Sequence, residues 1–317
     1  MTIAAALLLL AASVAWTAGR SLPRASWVHR APKLGLAAWY TVVAVTVTSV
    51  LAAPVVMLAT WQLTLNLVCA GWMWCAQFLD SVTGAGHRIL AMLALTAVAV
   101  VVARGTATGV RAWREGERAR RAHREMLSLV ARRDEALGAL VLDHPRPAAY
   151  TLAGGGGQIV ITTGALASLP KVQVDAVLDH ERAHLHGRHH LLQQMTRMLA
   201  MCFPTVPMFA QAGRQVDRLV ELCADDAVGG ERRIQLARAL VMCAQADGGV
   251  PMPAGALGAH GGDAVERVRR LLAPPPALSA TQRVLTMVAL TALLAMPPAL
   301  VALGLLFPAA SRCLPAL

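Results

Sequence analysis

The five residues His180-Glu181-Arg182-Ala183-His184 carry the side chains needed for metal-assisted hydrolysis. On an α-helix, residues four apart share one face, so both imidazoles can be offered to a single Zn²⁺ while Glu181 lies beside the ion as a candidate base. The flanking runs, Val174 to Asp179 and Leu191 to Met195, have helical composition without proline and supply the context that the motif requires. A catalytic zinc takes three protein ligands and keeps one position for water. The third ligand is sought past the break at Pro204 and Pro207, where Glu221-Leu222-Cys223-Ala224-Asp225 stands in the next helical segment. Glu221 is the expected ligand. Asp225, one turn further on the same face, is placed to accept the second N–H of a ligand imidazole and fix its tautomer. Carboxylates at such positions are ordinarily a solvated helix face, and it is the intact HExxH upstream that favours ligation. The chemistry would be peptide hydrolysis with one zinc per chain, Glu181 taking a proton from water and passing it to the leaving amine.

The other histidines call for plainer explanations. At about 100° per residue, His186, His189 and His190 turn away from the His180/His184 face, so they are expected to be solvated or interfacial. His260, in the Gly-rich stretch 255–262, is left unassigned. Cys202, Cys223 and Cys243 are expected to be buried and reduced. A disulfide among Cys69, Cys75 and Cys313 stays open.

Three strings together resemble the BlaR/MecR-type membrane metallopeptidases: Val160 to Leu166, Ala176 to Leu185, and Arg218 to Asp226. The resemblance covers about residues 140 to 272, and the flanking apolar segments match in arrangement. It implies a gluzincin-type zinc endopeptidase of the bacterial cytoplasmic membrane. His180, His184 and Glu221 would be its ligands, Glu181 its catalytic residue, and a cytoplasmic winged-helix repressor of the BlaI/MecI type its protein substrate. HtpX-type quality-control proteases share HExxH and a downstream ExxAD, and a non-catalytic signalling scaffold is a third reading. Three apolar segments before the catalytic region and one after it favour the BlaR/MecR arrangement. About ten residues follow the fourth segment, so an external penicillin-binding sensor is not expected, and the stimulus is open.

Membrane insertion has its own evidence. Hydrophobic residues make up 56% of the chain and the mean hydropathy is +0.53, the composition of a protein with several helices in lipid. Apolar stretches run from about Thr2 to Ala18, Leu36 to Thr60, Ile89 to Ala103 and Val284 to Leu306, long enough to span or nearly span a ~30 Å hydrocarbon layer. No Lys or Arg precedes the first stretch, whereas Arg20, Arg24, Arg30 and Lys33 follow it. That bias puts the N-terminus outside and argues against a cleaved signal peptide. Nine arginines between 104 and 133 put the sequel in the cytoplasm. The count of spans then requires Trp61 to Leu79 to be an external interfacial or re-entrant segment.

The same arginines account for the net charge of +11 through anionic lipid and the insertion rule, so nucleic acid is not an expected partner. Arg111 to Arg133 reads as a juxtamembrane helix. Ala149 to Leu152 and Gln158 to Thr162 read as two strands joined through Gly154 to Gly157. Gln158, Ile159, Val160, Ile161 and Thr162 form the expected edge strand, onto which a substrate backbone would add. Ile234 to Cys243 and Asp263 to Leu272 read as amphipathic helices separated by a Gly/Pro-rich loop over 248–262.

The expected fold is therefore a mainly α membrane protein, with four transmembrane helices and a cytoplasmic α+β gluzincin-type zinc metallopeptidase domain. Residues 1–103 would hold three spans, a cytoplasmic loop 19–35 and an external loop 61–88. Residues 104–282 would form the peptidase domain, and 283–317 the fourth span with a short external tail. Both termini would be external, and the oligomeric state is open.

Overall fold

The computed structural model describes residues 2–69, 85–152, 157–246 and 261–310. Helix α1 (Thr2–Ser21) leads through a 3₁₀ turn (Leu22–Arg24) and the short α2 (Ser26–Arg30) into α3 (Pro32–Cys69). Helix α4 (Ala85–Val130) runs without interruption into strand β1 (Ala131–Asp134), followed by β2 (Ala139–Leu142), β3 (Ala149–Leu152) and β4 (Gln158–Thr162). Six helices follow among the described residues: α5 (Thr163–Ser168), α6 (Lys171–His186), α7 (His189–Cys202), α8 (Pro207–Ala227), α9 (Arg232–Ala246) and α10 (Gly261–Leu272). The last helix is α11 (Ala280–Ala310).

Among the described residues, four stretches are long and apolar enough to cross a bilayer: Ile3–Arg24, Pro32–Met57, Met92–Val130 and Ala280–Leu305. Two expectations change here. Trp61 to Cys69 continue α3 as helix instead of starting a separate interfacial segment, and residues 70–84, with Trp72, Trp74 and Cys75, lie outside the described residues. The expected juxtamembrane helix is the second half of α4, continuous with the third apolar stretch, and Arg132 and Arg133 belong to β1. An unbroken backbone hydrogen-bond ladder carries α4 from its apolar to its charged half, because no proline interrupts it. The Gly-rich connection 153–156, most of the expected loop 248–262, His260 and Cys313 also lie outside the described residues.

The sheet has four strands, two more than expected, in the order β1-β2-β4-β3. β2 and β4 are parallel, and the outer pairs are antiparallel. Alternation along the strands sorts side chains to two faces. Ile159 and Ile161 join Val174, Val177, Leu178, Leu236 and Leu240 in a core beneath α6 and α9. Val160, Tyr150 and Leu152 turn the other way and meet Leu127 of α4. Thr162 ends β4 by capping α5, its hydroxyl accepting from Ala165 N at 3.2 Å and donating to Arg146 O at 2.7 Å.

A second core ties the apolar helices to α8. Trp39, Val42, Val43 and Val45 of α3 and Val14 of α1 are buried with Phe209, Ala212, Val216, Leu219 and Leu222 of α8. Trp39 is wholly buried, and full burial of one such side chain is worth about 1.5–3 kcal/mol. Residues 104–282 hold the sheet cores among themselves, while α8 also packs on α1 and α3.

Candidate metal centre

Helices α6 and α8 cross so that His180, His184 and Glu221 bring one ligand atom each within 4.8 Å of one another. His180 Nε2 and His184 Nε2 are 3.1 Å apart, and each lies 3.5 Å from an oxygen of Glu221. A tetrahedral ion with bonds of about 2.05 Å demands ligand–ligand edges of about 3.3 Å; the two imidazole nitrogens meet that spacing, while their 3.5 Å approaches to Glu221 go to its two different oxygens. His180 is buried, while Glu221 keeps a third of its side-chain surface open. Access to the cluster is thus from the Glu221 side.

Glu181 is 2% exposed. Its carboxylate accepts from Thr151 Oγ1 at 2.6 Å, and the same hydroxyl lies 3.1 Å from the Glu181 carbonyl. Strand alternation explains the pairing: with Tyr150 and Leu152 facing α4, Thr151 must face α6. Burial pushes the Glu181 carboxyl up from its ordinary range, against the pull of His180, His184 and Thr151.

Behind the triad, His180 Nδ1 lies 3.1 Å from Asp225 Oδ1. Asp225 is fully buried and engaged by both forks of Arg267, Nε to Oδ2 at 2.8 Å and Nη2 to Oδ1 at 2.7 Å. Arg267 Nη1 also reaches Glu221 Oε2 at 2.9 Å, and Nη2 stands 3.4 Å from His180 Nε2. Burial would raise both carboxyls, but Arg267 and the imidazoles overrule it, holding Glu221 well below the usual range and Asp225 at about 2. Burial alone would lower His180; Asp225 and Glu221 reverse this and take it up to about 9. Carboxylates that would retain a proton on that imidazole equally favour a metal cation there.

Sequence reasoning missed Arg267 and His189. Arg267 sits in an amphipathic stretch 42 residues beyond Asp225, and no local spacing links the two. His189, expected to be solvated or interfacial, is 6% exposed, with Nδ1 2.9 Å from His184 Nδ1 and the two rings edge-on. The phase argument assumed one continuous helix. Instead α6 stops at Gly187, Arg188 takes the left-handed conformation (φ 47°), and α7 restarts at His189. Gly187 makes room: a Cβ there would lie 2.3 Å from His189 Nε2 and 3.1 Å from Ala183 O. Burial, with His184 close by, lowers His189 to about 4, which keeps its imidazole neutral. His186 and His190 stay at or near the surface.

The expected edge strand is corrected. β4, Gln158 to Thr162, is an inner strand paired on both sides, by β2 and by β3. A strand so paired has no free ladder to offer. The edge beside Glu181 is β3, Ala149–Leu152. A cavity of about 360 Å³ continues from Thr151 and Leu152 between α4 and α7, with Gly116, Trp113, Arg197 and Met198 among its walls. Arg218 pairs with Glu266. Cys223 faces the α3/α8 core, and burial pushes its thiol up to about 12.

Residues 112–246 match peptidase family M48. The matched stretch takes in the charged half of α4, the whole sheet, and α5 to α9, with all of His180, Glu181, His184, Glu221 and Asp225. The match supports a metallopeptidase at the level of that family and does not single out the BlaR/MecR type. No curated protein and no solved structure matches the chain.

Proposed function

We propose that this chain is an integral-membrane zinc endopeptidase whose site faces the cytoplasm and whose substrate is a cytoplasmic repressor of the BlaI/MecI type. The observation that carries the reading is the convergence of His180, His184 and Glu221 within 4.8 Å, with the buried Glu181 alongside. The M48 match over the same residues supports the peptidase part of it. Three apolar helices before the site and one after it favour a BlaR/MecR-like regulator over an HtpX-like quality-control protease.

In this reading His180 Nε2, His184 Nε2 and Glu221 would hold one Zn²⁺, which when bound would lower the pKa of water and polarise the scissile carbonyl. Glu181 accepts the water proton and delivers it to the leaving amine. Its upward-shifted carboxyl is better matched to that transfer than an exposed glutamate. Thr151 Oγ1 holds the carboxylate in place from β3. Asp225 and His189 brace the outer nitrogens of the two ligand imidazoles, and Arg267 orients Asp225 and Glu221 together. The substrate backbone extends along β3, with a side chain directed into the cavity between α4 and α7.

Glu181→Gln tests the proposal. The change keeps size and shape but removes the proton acceptor, so the variant should insert and retain zinc while cleavage of the repressor is lost. Cells carrying it that still lose intact repressor and induce its target genes would show that catalysis by this chain is not the signal.

A further inference from the structure

Away from the metal centre, α1 and the start of α8 enclose a cavity of about 580 Å³, within the range of small-ligand sites. Its α1 wall is formed by Ala12, Ala15 and Gly19, with Met208 of α8 opposite. Small residues at helical spacing leave an apolar trough along α1. Even a Cβ added at Gly19 would come no closer than 3.6 Å to its nearest neighbour, the Gln211 amide oxygen.

The trough ends in charge. Arg20 and Arg24 line the same cavity, and the Arg20 guanidinium carbon lies 3.3 Å from the centre of the Trp16 ring. Arg24 Nη1 donates to the Arg20 carbonyl at 3.0 Å. Among the described residues neither guanidinium meets a carboxylate, whereas Arg182, Arg197, Arg232, Arg267 and Arg270 all do. No acidic residue lines the cavity. Two acid-free guanidiniums and an indole therefore stand where a candidate span ends, at the mouth of an apolar trough. Guanidinium forks match phosphate oxygens, and indoles settle at the headgroup level of a bilayer. A free anion would use the charges and leave the trough idle. An amphiphile uses both.

We propose that this cavity seats one anionic glycerophospholipid: its phosphate between Arg20 and Arg24, its glycerol region against Trp16 and Gln211, and the start of an acyl chain in the Ala12–Ala15–Gly19 trough. The site is independent of the peptidase reading. It nonetheless touches the helix that carries Glu221 and Asp225, because Met208 and Gln211 belong to the first turns of α8.

The test uses the full-length protein in phosphatidylcholine nanodiscs, titrated with phosphatidylglycerol brominated on the upper acyl chain, with Trp fluorescence as the readout. The expected result is a saturable component of quenching, above the linear quenching of the other tryptophans, and the loss of that component in Trp16→Phe. Arg20→Gln should weaken it about fivefold and Arg20→Gln with Arg24→Gln about 25-fold, at about 1 kcal/mol per charge near the surface. Because the arginines also orient α1, Gly19→Leu is the deciding variant if the double variant does not insert. It keeps both charges, fills the trough, and should abolish saturation. Equal quenching by brominated phosphatidylcholine, saturation unchanged in Gly19→Leu, or displacement by millimolar inorganic phosphate would each overturn the proposal, the last by revealing a free-anion site.

Discussion

At the scale of single residues, the centre depends on groups that hold other groups. Arg267 lies buried between Asp225 and Glu221, and breaking such a pair from one side leaves a charge without compensation. Arg267→Met should therefore cost about 3–5 kcal/mol of stability in a detergent melt and weaken zinc binding about 10- to 100-fold in a chelator competition. Arg267→Lys keeps the charge without the fork and should fall between. In the same competition His189→Ala should lose about 10-fold or more, since it frees the outer nitrogen of His184, while His186→Ala should bind as the unmodified chain does. Equal affinities for the two histidine variants would remove His189 from the centre. The convergence of His180, His184 and Glu221 was legible in the sequence because helical spacing places i and i+4 together and because a third carboxylate could be sought on the next helix. Arg267 and His189 were not. One reaches the centre from a distant helix, and the other depends on a two-residue break that helical phase cannot anticipate.

At the scale of elements, the strands show where periodicity stops informing. Ala149 to Leu152 and Gln158 to Thr162 read correctly as strands, and they pair antiparallel. Which of the two is the edge depends on β2, a short four-residue strand that inserts itself parallel to β4 and is hard to tell from a loop in sequence. With β3 as the edge, a substrate bound by strand addition has every second amide turned toward the protein. N-methylation along a cleaved peptide should therefore reduce kcat/KM with a period of two, about tenfold or more at the inward amides and little at the outward ones. A uniform response along the peptide would rule out strand addition.

At the scale of the whole molecule, one core crosses the expected division at residue 104 while the sheet cores lie wholly beyond it. A fragment of residues 104–282 lacks Val14, Trp39, Val42, Val43 and Val45, the wall on which α8 packs. It should therefore aggregate or bind zinc poorly without the first three helices, and Trp39→Ala in the full chain should cost about 3–5 kcal/mol. A soluble, zinc-replete fragment would contradict this account of the core. The proposed sidedness rests on the arginines after α1 and along α4. Reporter fusions after Lys33 and at Ala244 should read as cytoplasmic and a fusion near Ser81 as external. An external signal at Ala244 would place the site beyond the reach of any repressor.

The close approach of α2, α3 and α8 at Gly35 has a bearing on how such a chain can change over evolutionary time. A Cβ at that position would lie 2.8 Å from Val28 Cγ1, 2.9 Å from Val28 O and 3.3 Å from Leu219 Cδ1. Leu219 stands two residues before Glu221, on a helix whose opposite face is committed to the metal centre. Drift in the apolar helices is thus not free to proceed alone. Because the carbonyl of Val28 as well as its side chain meets that position, no smaller residue at 28 or 219 relieves the contact, and related sequences that keep this approach should keep glycine at 35.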